Sequence, residues 1–217
     1  MTGTQQNRDD GLAKGLLVDF GGVLTTNVFQ SFRAFCVAEG LPQNAFIDLL
    51  KSNPDTRAEL RRLETNQIGA EEFGAHIGPL LGVKETTSLM DRAFAGIGPE
   101  PAMLGAVRTA REASVRTGLI SNSVGSDIYD KAVLDELFDA VVISGEVGMH
   151  KPQPEIFLLG AERIGLPPAD CVFVDDLREN CAGAEAVGMT AVLHRGPERT
   201  LPKLERLLGL ELPPPGS

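Results

Sequence analysis

The sequence predicts an α/β protein in which a parallel sheet is layered between helices, with an all-helical segment inserted behind its first strand. Three observations predict this. Five short apolar runs of strand length recur along the chain, helical patterns alternate with the last four, and residues 28–95 carry helical periodicity without a strand signal. Continuous apolar strands joined by helices form a parallel sheet covered on both faces, whereas strands with one wet face alternate in polarity.

The elements follow in chain order. Residues 1–11 are polar and read as a flexible end, and GLLVDF at 15–20 reads as the first strand. Then come five successive helical stretches, FQSFRAFCVAEG, NAFIDLLKS, TRAELRRLE, AEEFGAHIGPLL and TTSLMDRAFAG, closed off by the glycines and prolines of GIGPEP at 96–101. Beyond them, strands are expected at 116–120 (RTGLI), 139–144 (DAVVIS), 171–175 (CVFVD) and 189–193 (MTAVL). The helices among these fall at 101–114, 127–136, 154–164, 179–187 and 200–208. The chain therefore divides into a Rossmann-like three-layer core, 12–27 with 96–212, and an α-helical cap, 28–95, with flexible ends at 1–11 and 213–217. An insert leaving the carboxyl end of a strand overhangs the edge where open parallel sheets bind ligands.

Composition narrows the function. The chain has 217 residues, 42% hydrophobic and 23% charged, as in a globular domain, and no apolar run is long enough to span a bilayer. The start has neither the basic nor the apolar segment of a secretory signal, so the expected compartment is the cytoplasm. A formal charge of −10 argues against nucleic acid and anionic membrane as partners. Cys36, Cys171 and Cys181 are odd in number and lack a CxxC pair, which suggests neither a disulfide framework nor a zinc site.

The informative polar residues collect at strand ends: Asp19 after LLV, Ser121 and Asn122 after GLI, and Asp175 with Asp176 after CVFV. Lys151 stands in the loop GMHKPQP. In a parallel sheet these ends share one edge. Carboxylates crowded there would repel one another unless a cation lay between them, and hard oxygen ligands completed by waters and a phosphate suit Mg2+.

Four ordered motifs, VDFGGVL, GLISNS, HKPQPEIF and VFVDDLRENCAGAEAVGM, make the chain resemble the haloacid dehalogenase-like hydrolases that use an aspartate nucleophile. The subgroup it most resembles has a small α-helical cap and includes sugar-phosphate phosphatases and the phosphatase-like domain of soluble epoxide hydrolases. The resemblance implies a magnesium-dependent phosphatase acting on a small phosphorylated metabolite, with Asp19 as nucleophile and Lys151 neutralising the transferred group. It implies Mg2+ held by Asp19, Asp175, Asp176 and the backbone carbonyl of Gly21, with Ser121 and the amide of Asn122 on phosphoryl oxygens. A slow relative that binds a phosphorylated ligand or a protein, and a metal-independent 2-haloacid dehalogenase, are the alternative readings.

One departure from the family pattern stands out. Phosphatases of this family usually carry a second Asp two residues after the nucleophile as general acid and base, and this chain has Gly21 there. Such a group contributes roughly 10²- to 10⁴-fold to the rate. His150, beside Lys151, is one candidate replacement, with a loop-bracing role as its plainer reading. His76 and His194 read as structural, Asn180 as a brace for the fourth motif, and Arg57, Arg61 and Arg62 with Glu59 and Glu64 as a solvated charged face.

Overall fold

The computed structural model describes residues 12–123 and 129–214. The expected flexible end at 1–11 lies outside the described residues, as do residues 215–217 of the end expected at 213–217 and the first two residues of the helix expected at 127–136.

Five strands, β1 (Gly15–Val18), β2 (Arg116–Ser121), β3 (Ala140–Ile143), β4 (Cys171–Asp175) and β5 (Thr190–Leu193), form one sheet in the order β3-β2-β1-β4-β5. Every pairing is parallel. Alternate residues of each strand face opposite layers, as the two-residue period of an extended chain requires. Leu16 and Val18 pack with α6 (Pro101–Glu112), α7 (Lys131–Leu137) and α11 (Pro197–Leu208). Leu17 and Phe173 pack on the other side with α9 (Pro154–Arg163) and, through Ala184, with α10 (Arg178–Ala186). Strand order reverses around β1, because β2 and β3 lie to one side and β4 and β5 to the other. In open parallel sheets such a reversal marks the carboxyl-end edge where ligands bind.

Between β1 and α6 run five helices: α1 (Val28–Ala38), α2 (Ala45–Ser52), α3 (Pro54–Glu64), α4 (Ala70–Leu81) and α5 (Leu89–Phe94). They enclose an apolar cluster of their own, with Phe32, Phe46, Phe73, Ile77 and Leu89 buried in it. The chain enters and leaves this unit through paired stems. Thr26 N donates to Gly98 O at 2.8 Å, Glu100 N to Leu24 O at 2.8 Å, and Thr25 forms a β-bridge with Pro99.

Some boundaries differ from expectation for local reasons. β1 stops at Val18 because the next residues fold into a turn in which Leu24 N and Thr25 N donate to Phe20 O at 2.9 and 3.2 Å. α5 begins at Leu89 rather than 86, since Ser88 adopts a left-handed backbone with φ 48°. A short helix, α8 (Ser144–Val147), follows β3 directly; one turn is too brief to leave a periodic signal.

Candidate active site

Asp19 leaves β1 at the point where the strand order reverses. Its N–H donates to Val174 O at 2.9 Å, which continues the pairing with β4 one residue past the strand. Its carboxylate is buried, and Oδ1 accepts from Phe20 N at 2.7 Å and from Lys151 Nζ at 2.6 Å. Lys151 is buried as well, and it also donates to Asp175 Oδ2 at 2.8 Å and to Ile120 O at 2.9 Å. An ammonium has three N–H bonds, and these contacts commit all of them.

Asp175 ends β4 with no exposed surface. Beyond Lys151, its carboxylate accepts from Leu177 N at 2.8 Å and from Asn180 Nδ2 at 3.0 and 3.1 Å. Asn180 thus fixes a carboxylate as well as the loop that carries it. Asp19, Asp175 and Asp176 each offer an oxygen to a common point, with these oxygens within 4.8 Å of one another. A hard divalent cation is the natural complement of that donor set.

The charges respond to this crowding. Burial pushes the Asp19 carboxyl upward, Lys151 opposes it, and Asp175 and Asp176 push the same way as burial. Asp176 is pushed up to about 6 by burial and the neighbouring Asp175. For Lys151, burial works to discharge the ammonium, but Asp175 and Asp19 outweigh it and hold the lysine above its ordinary value. Mutual repulsion of this kind is relieved by a bound cation.

The β2 edge supplies the opposite wall. Ser121 is buried, its hydroxyl 2.9 Å from the Tyr129 hydroxyl. The side chain of Asn122 clips the Lys151 loop at two points: its Oδ1 accepts from Lys151 N at 2.8 Å and its Nδ2 donates to Lys151 O at 3.1 Å. Two glycines permit the close approaches that assemble this edge. Gly22, at φ 75°, would place a Cβ 2.5 Å from Asp176 Oδ2, and Gly183 would place one 2.8 Å from Pro152 O. Gly21 lies in the turn after Asp19, where an added Cβ would meet only Val28 Cγ2 at 3.4 Å.

The structure thus brings Asp19, Ser121, Asn122, Lys151, Asp175 and Asp176 to one edge of the sheet, with Gly21 beside them. His150 turns its Nδ1 to Lys151 O at 2.9 Å, which braces its own loop. Buried His194 lies with its Nδ1 2.9 Å from Thr200 Oγ1. All three cysteines are buried and free. No described helix is long and apolar enough to cross a membrane.

Two site residues escaped the sequence reading. Tyr129, two residues ahead of α7, meets Ser121 with no motif to mark it. Glu64 belongs to the inward face of α3 and not to its solvated one: Asn122 Nδ2 donates to its Oε2 at 3.3 Å. The signal was present, since Thr56, Leu60, Leu63 and Glu64 stand at i, i+4, i+7 and i+8, the spacing of a buried stripe.

Comparison with known proteins places this geometry in context. A family model described as a haloacid dehalogenase-like hydrolase matches residues 13–188. A glyceraldehyde 3-phosphate phosphatase of Methanopyrus kandleri is 31% identical over 129 residues, 57% of this chain and 55% of that protein. Fructose-1-phosphate phosphatase YqaB of Escherichia coli is 31% identical over 150 residues, 66% of this chain and 73% of that protein. Among solved structures, a HAD family enzyme of Bacteroides thetaiotaomicron in complex with magnesium and inorganic phosphate superimposes with a TM-score of 0.60 at 23% identity, covering 84% of this chain and 94% of that one. The match spans about half the length of the archaeal relative, 55%, and most of the bacterial one, 73%.

Proposed function

The chain belongs to the haloacid dehalogenase-like hydrolases, and from that premise we propose that it is a phosphatase acting on a small phosphorylated metabolite of the sugar-phosphate class. The observation that carries this reading is the convergence of Asp19, Lys151, Asp175 and Asp176 at the reversal of strand order. Relatives named as phosphatases of triose and hexose phosphates support the substrate class.

Asp19 attacks phosphorus. Both described contacts of its carboxylate fall on Oδ1, which fixes the group and leaves Oδ2 to face the substrate. A new bond from Oδ2 to phosphorus forms as the ester P–O bond breaks, and water then cleaves the aspartyl-phosphate to restore the carboxylate. Lys151 neutralises the transferring group while holding Asp19 and Asp175 in place, and Ser121 and the Asn122 amide hold phosphoryl oxygens. Asp19, Asp175, Asp176 and the Gly21 carbonyl would hold Mg2+, which when bound screens the repulsion between the carboxylates and the phosphate. The helical unit at 28–95 covers the crevice as a cap and selects the metabolite.

The test is a panel of phosphorylated metabolites assayed for phosphate release with and without Mg2+. Release from at least one member is expected, abolished by chelation and reduced at least about 10³-fold in Asp19→Asn, as for loss of a covalent nucleophile. Turnover by Asp19→Asn at the wild-type rate, or no release from any member, overturns the reading.

A further inference from the structure

We propose that Glu64, carried by the helical insert, gives the proton to the departing oxygen and takes one back from water. The assignment rests on the phosphatase reading above. A sugar alkoxide is a poor leaving group, and a positioned proton donor typically accelerates its departure by roughly 10²- to 10⁴-fold.

Other groups at the edge are committed elsewhere. Asp19 is the nucleophile, Asp175 is held by Lys151, Leu177 N and Asn180 and faces the metal position together with Asp176, and all three Lys151 N–H bonds are in use. Gly21 has no side chain, and His150 directs Nδ1 at its own loop. The Tyr129 hydroxyl pairs with Ser121 and is pushed by burial up to about 12, far too weak an acid to exchange a proton at neutrality.

Glu64 comes from the helical insert and meets the sheet edge at Asn122. In an in-line displacement the leaving oxygen lies opposite the attacking one. Asp19 attacks from the sheet, so the leaving oxygen points toward the insert, and Glu64 is the last residue of α3 within it. It is pinned twice, to the segments that follow β2 and β3. Its Oε2 accepts from Asn122, the residue clipped to the Lys151 backbone, and its main-chain carbonyl accepts from the Ser144 hydroxyl, whose oxygen accepts from Ser123 N at 2.8 Å.

Its acidity matches the task. Burial pushes Glu64 up to about 7, and Glu179 on α10 adds to the push. The charge of Lys151, the Asn122 bond and the charge of Arg61 pull it partly back. A group near neutrality serves as acid and base in alternate steps. In the first, the P–O ester bond breaks, its electron pair goes to the leaving oxygen, and that oxygen takes the Glu64 proton to depart as alcohol. In the second, water bonds to phosphorus and gives its proton to the Glu64 carboxylate, while the pair of the Asp19–phosphorus bond returns to Asp19. The sum is ester plus water to alcohol plus phosphate.

Rapid mixing of Glu64→Gln with p-nitrophenyl phosphate and Mg2+ tests this, because nitrophenolate leaves without a proton while hydrolysis of the phosphoenzyme still needs a base. We expect a burst of about one nitrophenolate per protein, then turnover roughly 100-fold slower than wild type, with the phosphorylated protein trapped and visible by mass. The sugar phosphate that wild type hydrolyses fastest should give no burst. Glu64→Asp, one methylene shorter, should recover part of the rate, and melting curves verify that both variants fold. Wild-type turnover in Glu64→Gln, or slow turnover without burst or phosphoenzyme, overturns the assignment and leaves the phosphatase reading standing. No release by wild type from either substrate overturns both.

Discussion

Glu64 has a thermodynamic signature separable from any catalysis. Its folded-state value of about 7 lies above the ordinary 4.5, so the folded protein keeps a proton that the unfolded chain loses between these pH values. Stability therefore falls as pH rises through that window and is unaffected below it. In metal-free protein, Glu64→Gln should match wild type near pH 4 and exceed it near pH 8 by about 1–2 kcal/mol, a figure reduced for solvent screening of a partly exposed group. Urea unfolding at the two pH values checks this; equal stabilities at both would mean that the carboxylate is not strained by its surroundings. At this scale the sequence was legible where chemistry coincides with a strand end, as at Asp19, Ser121 and Asp175. It was illegible at Tyr129, whose hydroxyl meets that of Ser121 with no motif to mark it. Glu64 was misread because the arginines at 57, 61 and 62 suggested a wet helix; they are indeed exposed, but the stripe through Thr56 and Leu63 turns Glu64 inward.

Among the elements, the turn after β1 is the most exacting. Gly22 combines a left-handed backbone with a near-contact to Asp176, and Gly22 N donates to Thr25 Oγ1 at 2.9 Å. Gly40 is a built-in control, since it has φ 72° with nothing within 4 Å of an added Cβ. Gly40→Ala should cost only the backbone strain, about 1 kcal/mol, whereas Gly22→Ala should cost about 1–3 kcal/mol and displace Asp176, weakening Mg2+ binding in titration. Equal losses of stability and unchanged metal affinity would show that the close approach is of no consequence. The regular elements were readable because buried parallel strands are continuously apolar and their helices amphipathic. What escaped was short or conformational: the single turn of α8, and the left-handed Ser88 that delays α5.

Over the whole molecule, two apolar clusters in the sheet layers and a third within the insert imply units that can open separately. Phe73 is fully buried in the insert, and Phe73→Ala should cost about 3–5 kcal/mol. Hydrogen exchange should then quicken across α1–α5 while the amides of β1, β2 and β4 stay protected; uniform acceleration would mean a single cooperative unit. The run of five helices between β1 and α6 was legible from the absence of strand signals at 28–95. The way the insert meets the sheet was not, because contacts such as Ser144 to Glu64 span 80 residues of sequence.

The paired stems have an evolutionary side. Since Leu24 and Glu100 are hydrogen-bonded neighbours, the chain departs and returns through one doorway, and a lineage could trade the insert for another without disturbing strand order. If Glu64 is the proton carrier, that trade is not free in this chain. A new insert would bring new recognition but discard the acid, so here substrate choice and turnover are inherited together, unless a carboxylate arises at position 21, where an added Cβ meets only Val28 Cγ2.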